Sequence, residues 1–133
     1  MYIKYITIMA EEFQGNRNDF ITKLKENKGV YIFKFTAEWC KPCQNIKKDV
    51  EVLMKNVCSN NLNIKCFEVD VDDDKSFDLF AYLKRIKMIR GIPTMLAYKK
   101  GNLEYTSDAS ISGTDLEEIS AFFRICNKLE KQD

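Results

Sequence analysis

The stretch Val30-Tyr31-Ile32-Phe33-Lys34-Phe35-Thr36-Ala37-Glu38-Trp39-Cys40-Lys41-Pro42-Cys43 decides how the rest of this chain is read. Val30 to Thr36 are β-branched and aromatic apart from Lys34, the pattern of a central strand buried on both faces. Past the cysteines, Ile46, Val50, Leu53, Met54 and Val57 recur at helical spacing. Cys40 and Cys43 therefore stand at a strand-to-helix junction, where a small disulfide closes with little movement. Unpaired N–H groups and the positive end of the helix dipole favour the Cys40 thiolate there. Cys43, one turn further in, is shielded and placed to attack a mixed disulfide formed at Cys40. Pro42 at an early helical position removes no hydrogen bond the helix needs, and Lys41 adds positive charge. A Cys-x-x-Cys is also half of a zinc site, but the chain has no second one and no histidine. Four ligands would have to come from scattered cysteines, so no metal is expected.

Length and composition narrow the function further. A chain of 133 residues, 45% apolar and 31% charged, reads as one globular domain, 1–133. Its 21 basic and 20 acidic residues leave a net charge of +1, which gives no bulk electrostatic case for nucleic acid. The absence of histidine closes imidazole acid–base chemistry. Five cysteines, an odd number, cannot form a complete internal disulfide framework. Met1 to Ala10, with Ile3, Ile6 and Ile8 alternating with other residues, reads as a strand rather than a secretory signal. Together these features imply a soluble protein of the cytoplasm with no membrane segment.

Outward from the cysteines the chain divides without repeats or linkers. Residues 1–14 are an opening strand and lead-in. Asn18 or Asp19 is expected to cap a helix carrying Phe20, Ile21 and Leu24, ended by Asn27 and Gly29. A strand near Asn63–Val69 leads into an acidic turn, Asp70 to Asp74. Phe77, Phe80, Leu83 and Ile86 then mark a helix. Thr94–Tyr98 and Leu103–Thr106, flanking Lys99-Lys100-Gly101-Asn102, predict a hairpin. Thr114 and Glu117 are spaced as a capping box for a last helix that buries Leu116, Ile119, Phe123 and Cys126. The order β-α-β-α-β-α-β-β-α implies an α/β fold, a central mixed sheet with helices on both faces. Cys58, Cys66 and Cys126 fall on apolar faces and read as small buried hydrophobes.

The strip Ala37 to Cys43 resembles the active site of the thioredoxin family. Ile89-Arg90-Gly91-Ile92-Pro93-Thr94 is similar to that family's cis-proline loop, and Lys99-Lys100-Gly101 to the hairpin after it. The likeness runs from about residue 15 to the C-terminus. It implies the thioredoxin fold and a thiol–disulfide oxidoreductase acting on protein disulfides, with Cys40 as nucleophile, Cys43 as resolving thiol and Trp39 flanking them. It further implies that Pro93 is cis, with Ile92 and Thr94 beside it on the substrate-binding edge. A thioredoxin-reductase-like donor would supply electrons to a monomer that needs no further cofactor.

Two features depart from the family. Lys34 stands six residues before Cys40, where the family commonly has a buried aspartate, and Cys66 falls where a lysine is often found. Lys34 should either stabilise a cysteine thiolate, with Glu68 as its candidate partner, or reach solvent and touch nothing at the site. If it acts on the thiolates, the pair is more oxidising than thioredoxin's roughly −270 mV. The stretch Asp70–Pro93 is also longer than the family leads one to expect, and it ends in Lys84, Arg85, Lys87 and Arg90. These read as a solvated helix face, the alternative being a docking patch for acidic partners. Two further function classes stay in view: a binding or assembly module with little redox turnover, kept open by Lys34, and a peroxide- or glutathione-dependent enzyme.

Overall fold

The computed structural model describes residues 10–132. The opening strand expected over Met1–Ala10 lies outside the described residues except for Ala10. Five strands follow: β1 (Glu11–Glu12), β2 (Val30–Thr36), β3 (Ile64–Asp70), β4 (Thr94–Lys99) and β5 (Ala109–Ser112). They form one mixed sheet in the order β1-β3-β2-β4-β5, with β1, β3 and β2 parallel and β4 and β5 antiparallel. Four helices complete the described residues: α1 (Arg17–Leu24), α2 (Lys41–Asn60), α3 (Ser76–Arg85) and α4 (Leu116–Glu130). None of them is long and apolar enough to cross a membrane.

Alternation along β2 divides the core in two. Tyr31, Phe33 and Phe35 point to the side covered by α1 and α3, where Phe13, Phe20, Phe67 and Tyr98 join them. Their rings meet edge-on or stacked at centroid distances such as 4.7 Å for Phe20–Phe33 and 5.1 Å for Phe33–Phe67. Val30 and Ile32 point to the opposite side, with Ile46, Val50, Met54 and Val57 of α2 and Ile119, Phe122, Phe123 and Cys126 of α4. Gly29 is needed before β2, because a Cβ there would sit 2.3 Å from the Asn63 carbonyl oxygen.

Several element ends differ from the expectation. Asn16, not Asn18 or Asp19, caps α1: its side chain accepts from the Asp19 N–H, and the Asp19 carboxylate accepts from the Asn16 N–H. Asp115 rather than Thr114 caps α4, accepting from Glu117 and Glu118 N–H groups, which turns Leu116 outward and Phe122 inward. On α3 the buried stripe is Leu79 and Leu83, while Phe77 and Ile86 are exposed. The strand after β4 is Ala109–Ser112 instead of Leu103–Thr106. Asp108 accepts from the Lys99 N–H, and the Asn102 amide donates to Thr106 and Asp108, so side chains hold the intervening loop and postpone pairing.

Two buried acids make this packing sensitive to alkali. Burial pushes the Cys126 thiol up from 9.0 to about 12. Burial also raises the Tyr98 hydroxyl, which the nearby Asp108 carboxylate reinforces. Both stay protonated in the fold at pH values where the unfolded chain has lost its proton, so the native state binds more protons and stability falls as pH rises. The Cys126 contribution is whole below about pH 9 and is lost between about pH 9 and 12. Urea unfolding across that range is expected to show a shallower decline for Cys126→Ala than for the wild type; equal slopes would remove Cys126 as a cause.

Candidate active site

Cys40 and Cys43 are joined by a disulfide, with Cα atoms 5.3 Å apart. The Cys40 backbone is extended (φ −79°, ψ 103°), and this residue is the N-cap of α2. Its sulfur accepts from the Cys43 N–H at 3.2 Å, so a helix-terminal donor that would otherwise be unpaired is spent on it. The first turn of α2 holds no acidic residue to neutralise the dipole, and Lys41 and Pro42 are exposed at its start. A thiolate at Cys40 is therefore favoured by backbone, dipole and neighbouring charge together. Cys40 is 4% exposed and Cys43 1%. Behind them, Gln44 donates its amide to the Ala37 carbonyl at 3.0 Å and closes the strand-to-helix turn.

The second wall is the loop before β4. The Ile92–Pro93 bond is cis, and the Ile92 carbonyl oxygen lies 3.8 Å from Cys40 Sγ. Thr94 is buried; its hydroxyl donates to the Gly91 carbonyl at 2.6 Å and lies 2.9 Å from the Ser112 hydroxyl. Trp39 is 68% exposed beside the disulfide, and its indole N–H donates to the Asp72 carboxylate. Sequence reasoning took Asp72 for part of a solvated turn and did not single out Ser112. Each meets its partner only through the sheet, and no local spacing announces either. Lys84, Arg85, Lys87 and Arg90 are all exposed, Lys84 lying over the Phe80 ring and Arg85 over that of Tyr82.

Lys34 does not reach solvent. It is 2% exposed, and its ammonium lies 3.5 Å from Glu68 Oε2. The parallel register sets Lys34 opposite Glu68 and Ile32 opposite Cys66, so the residue facing Lys34 is Glu68 and not Cys66. Lys34 also shares a narrow cleft with Ile46 of α2 and with Pro93 and Thr94, which puts its side chain next to the cis-proline loop.

A redox-active cysteine pair at a helix N-terminus, walled by a cis-proline on a mixed α/β sheet, defines a thiol–disulfide oxidoreductase. The family profile described as Thioredoxin matches residues 11–124, and the chain belongs to the thioredoxin family. It is 33% identical over 93 residues to a thioredoxin of Acidithiobacillus ferridurans, covering 70% of this chain and 77% of that protein. With Thioredoxin H3 of Arabidopsis thaliana it shares 30% over 106 residues, 77% of this chain and 78% of the relative. The solved Trichomonas vaginalis thioredoxin has the same fold, with a TM-score of 0.64, 23% identity, and 87% and 96% of the two chains covered.

The Lys34–Glu68 contact has a measurable consequence. Glu68→Gln leaves a buried cation without its counter-ion and is expected to cost about 1–3 kcal/mol, less than the roughly 3–5 kcal/mol of a fully buried pair because Glu68 is partly solvated. Lys34→Met should cost less, and the double variant should recover most of the loss. Denaturant unfolding of the four proteins gives the coupling; additive effects would mean that the two charges do not interact.

Proposed function

We propose that the chain reduces or exchanges disulfides in other proteins, with Cys40 as nucleophile and Cys43 as resolving thiol. The observation that carries this reading is the Cys40–Cys43 disulfide at the start of α2, 3.8 Å from the carbonyl that precedes cis-Pro93. The Cys40 thiolate attacks one sulfur of a substrate disulfide, forming a mixed disulfide and expelling the other sulfur as a thiolate that takes up a proton. Cys43 then loses its proton and attacks Cys40 Sγ, releasing the second substrate thiol and leaving Cys40–Cys43 oxidised. A dithiol donor of the thioredoxin-reductase type returns two electrons. Ile92, Pro93 and Thr94 form the edge along which an extended substrate segment lies, and Trp39, held by Asp72, borders it.

The same reading treats residues 1–133 as one domain acting as a monomer in the cytoplasm, on protein partners rather than nucleic acid or membrane. Near-neutral charge and the odd cysteine count support it. Lys34 sets the direction. Its ammonium is buried, whereas its partner carboxylate is one-third exposed and so better screened, leaving a net positive potential in the cleft beside cis-Pro93. Positive potential favours thiolates, hence the reduced pair, and makes the couple more oxidising than thioredoxin's roughly −270 mV.

Cys40→Ser should abolish turnover of a disulfide-bonded protein substrate, and Cys43→Ser should trap the mixed disulfide, visible on a non-reducing gel. Titrating the fluorescence of Trp39, the sole tryptophan, in glutathione buffers should give a two-electron transition above thioredoxin's value. Lys34→Met should lower it by about 10–30 mV, where 30 mV corresponds to about 1.4 kcal/mol. A wild-type value at or below thioredoxin's would make Lys34 a bystander. No transition at all would turn the reading toward a binding module.

A further inference from the structure

A second pair of sulfurs meets away from the site just described. Cys58, in the last turns of α2, and Cys66, on β3, are linked by a thiol–thiol hydrogen bond with the sulfurs 3.3 Å apart. A disulfide needs about 2.05 Å, so the two sulfurs must approach by a little over 1 Å for the bond to form. The two positions differ as an attacking and a resolving thiol must: Cys58 is half-buried at the edge of the core, and Cys66 is 3% exposed. Cys126 of α4, fully buried in the same core, is the remaining thiol. The chemistry agrees with the geometry. The hydrogen bond shared with Cys66 pulls the Cys58 thiol below its ordinary range despite partial burial. That same bond and burial hold the Cys66 proton on well above it.

We propose that Cys58 and Cys66 form a second thiol–disulfide exchange site, which a low-molecular-weight disulfide of the glutathione class oxidises to an intramolecular disulfide. The Cys58 thiolate attacks one sulfur of the reagent, forming a mixed disulfide and releasing one reagent thiolate, which takes the proton Cys58 had lost. Cys66 then gives up its proton and attacks Cys58 Sγ. The Cys58–reagent bond breaks, the Cys58–Cys66 bond forms, and the second reagent thiolate leaves with that proton. Two electrons have passed from the dithiol to the reagent, now two thiols. Cys40–Cys43 cannot be the oxidant within the same molecule: Cys43 and Cys58 are separated by about 22 Å along α2, at 1.5 Å per residue. The bond would tie the far end of the helix that presents Cys40 to the strand that carries Glu68, the counter-ion of Lys34.

The test uses the full-length Cys40→Ser/Cys43→Ser chain, so its outcome does not depend on activity at the first pair. After exposure to glutathione disulfide, thiol alkylation and peptide mass mapping should find Cys58 joined to Cys66 and Cys126 free. Adding Cys66→Ser, which keeps a hydrogen-bonding partner for Cys58 but cannot resolve, should make the glutathione adduct at Cys58 accumulate at least tenfold. In the wild-type chain, which needs no substitution, the same treatment should leave one thiol of the five, whereas oxidation of Cys40–Cys43 alone leaves three. Three remaining thiols, or an adduct at Cys58 equally abundant with and without Cys66, would overturn the proposal.

Discussion

Strand β2 has a hydrogen-bonded neighbour on each edge and helices over each face, and its register against those neighbours places every part of the site. Parallel pairing sets Lys34 opposite Glu68 and Thr36 opposite Asp70, so β3 ends beside the start of α2 and its outgoing turn delivers Asp72 to Trp39. Antiparallel pairing sets Phe35 opposite Thr94, which brings the residues just before Thr94, Ile92 and Pro93, alongside Cys40. A slip of one residue would exchange Phe33 and Phe35 for Ile32 and Lys34, sending the cation into the aromatic core. The alternation of β2 is thus what holds three separate segments to one point at its C-terminal end.

That strand tolerates a charge its packing does not need. Each fully buried ring around Phe33 contributes about 1.5–3 kcal/mol of burial free energy, and five or six of them secure the register. Lys34 contributes in the opposite sense, because removing an ammonium from water costs several kcal/mol that an ion pair at 3.5 Å with a partner one-third exposed only partly offsets. A methionine would fill the same volume without that cost. The stability of the sheet therefore gives no reason for a lysine here, and what its position does offer is a charge in the cleft lined by Pro93 and Thr94.

What the sequence disclosed follows from how local the signals are. The run Val30–Thr36, the stripe Ile46 to Val57 and the Cys-x-x-Cys between them are each contained within one element, and all three are found where they were expected. Thr94–Lys99 was legible for the same reason, and its partner was not: Asp108 and Asn102 satisfy backbone groups that a tight hairpin would have paired, a competition between side chain and ladder invisible in hydrophobic pattern. On α3 either of two stripes is apolar, and only the position of α1 and the sheet chooses Leu79 and Leu83 over Phe77 and Ile86. Asp72, 33 residues from Trp39, has no local signature at all.

The two ends of α2 also explain why its cysteines differ in kind. Cys40 stands at the positive end of the dipole, accepts a backbone N–H and has Lys41 beside it, so the helix itself makes the thiolate. Cys58 stands near the negative end, where the last turn carries no basic side chain and the same dipole opposes a thiolate. Whatever reactivity Cys58 has must therefore come across from β3, through the Cys66 thiol, and not from the helix that bears it. One helix thus presents a thiol favoured by its own backbone at one end and, at the other, a thiol that its own dipole opposes and only its neighbour across the sheet assists.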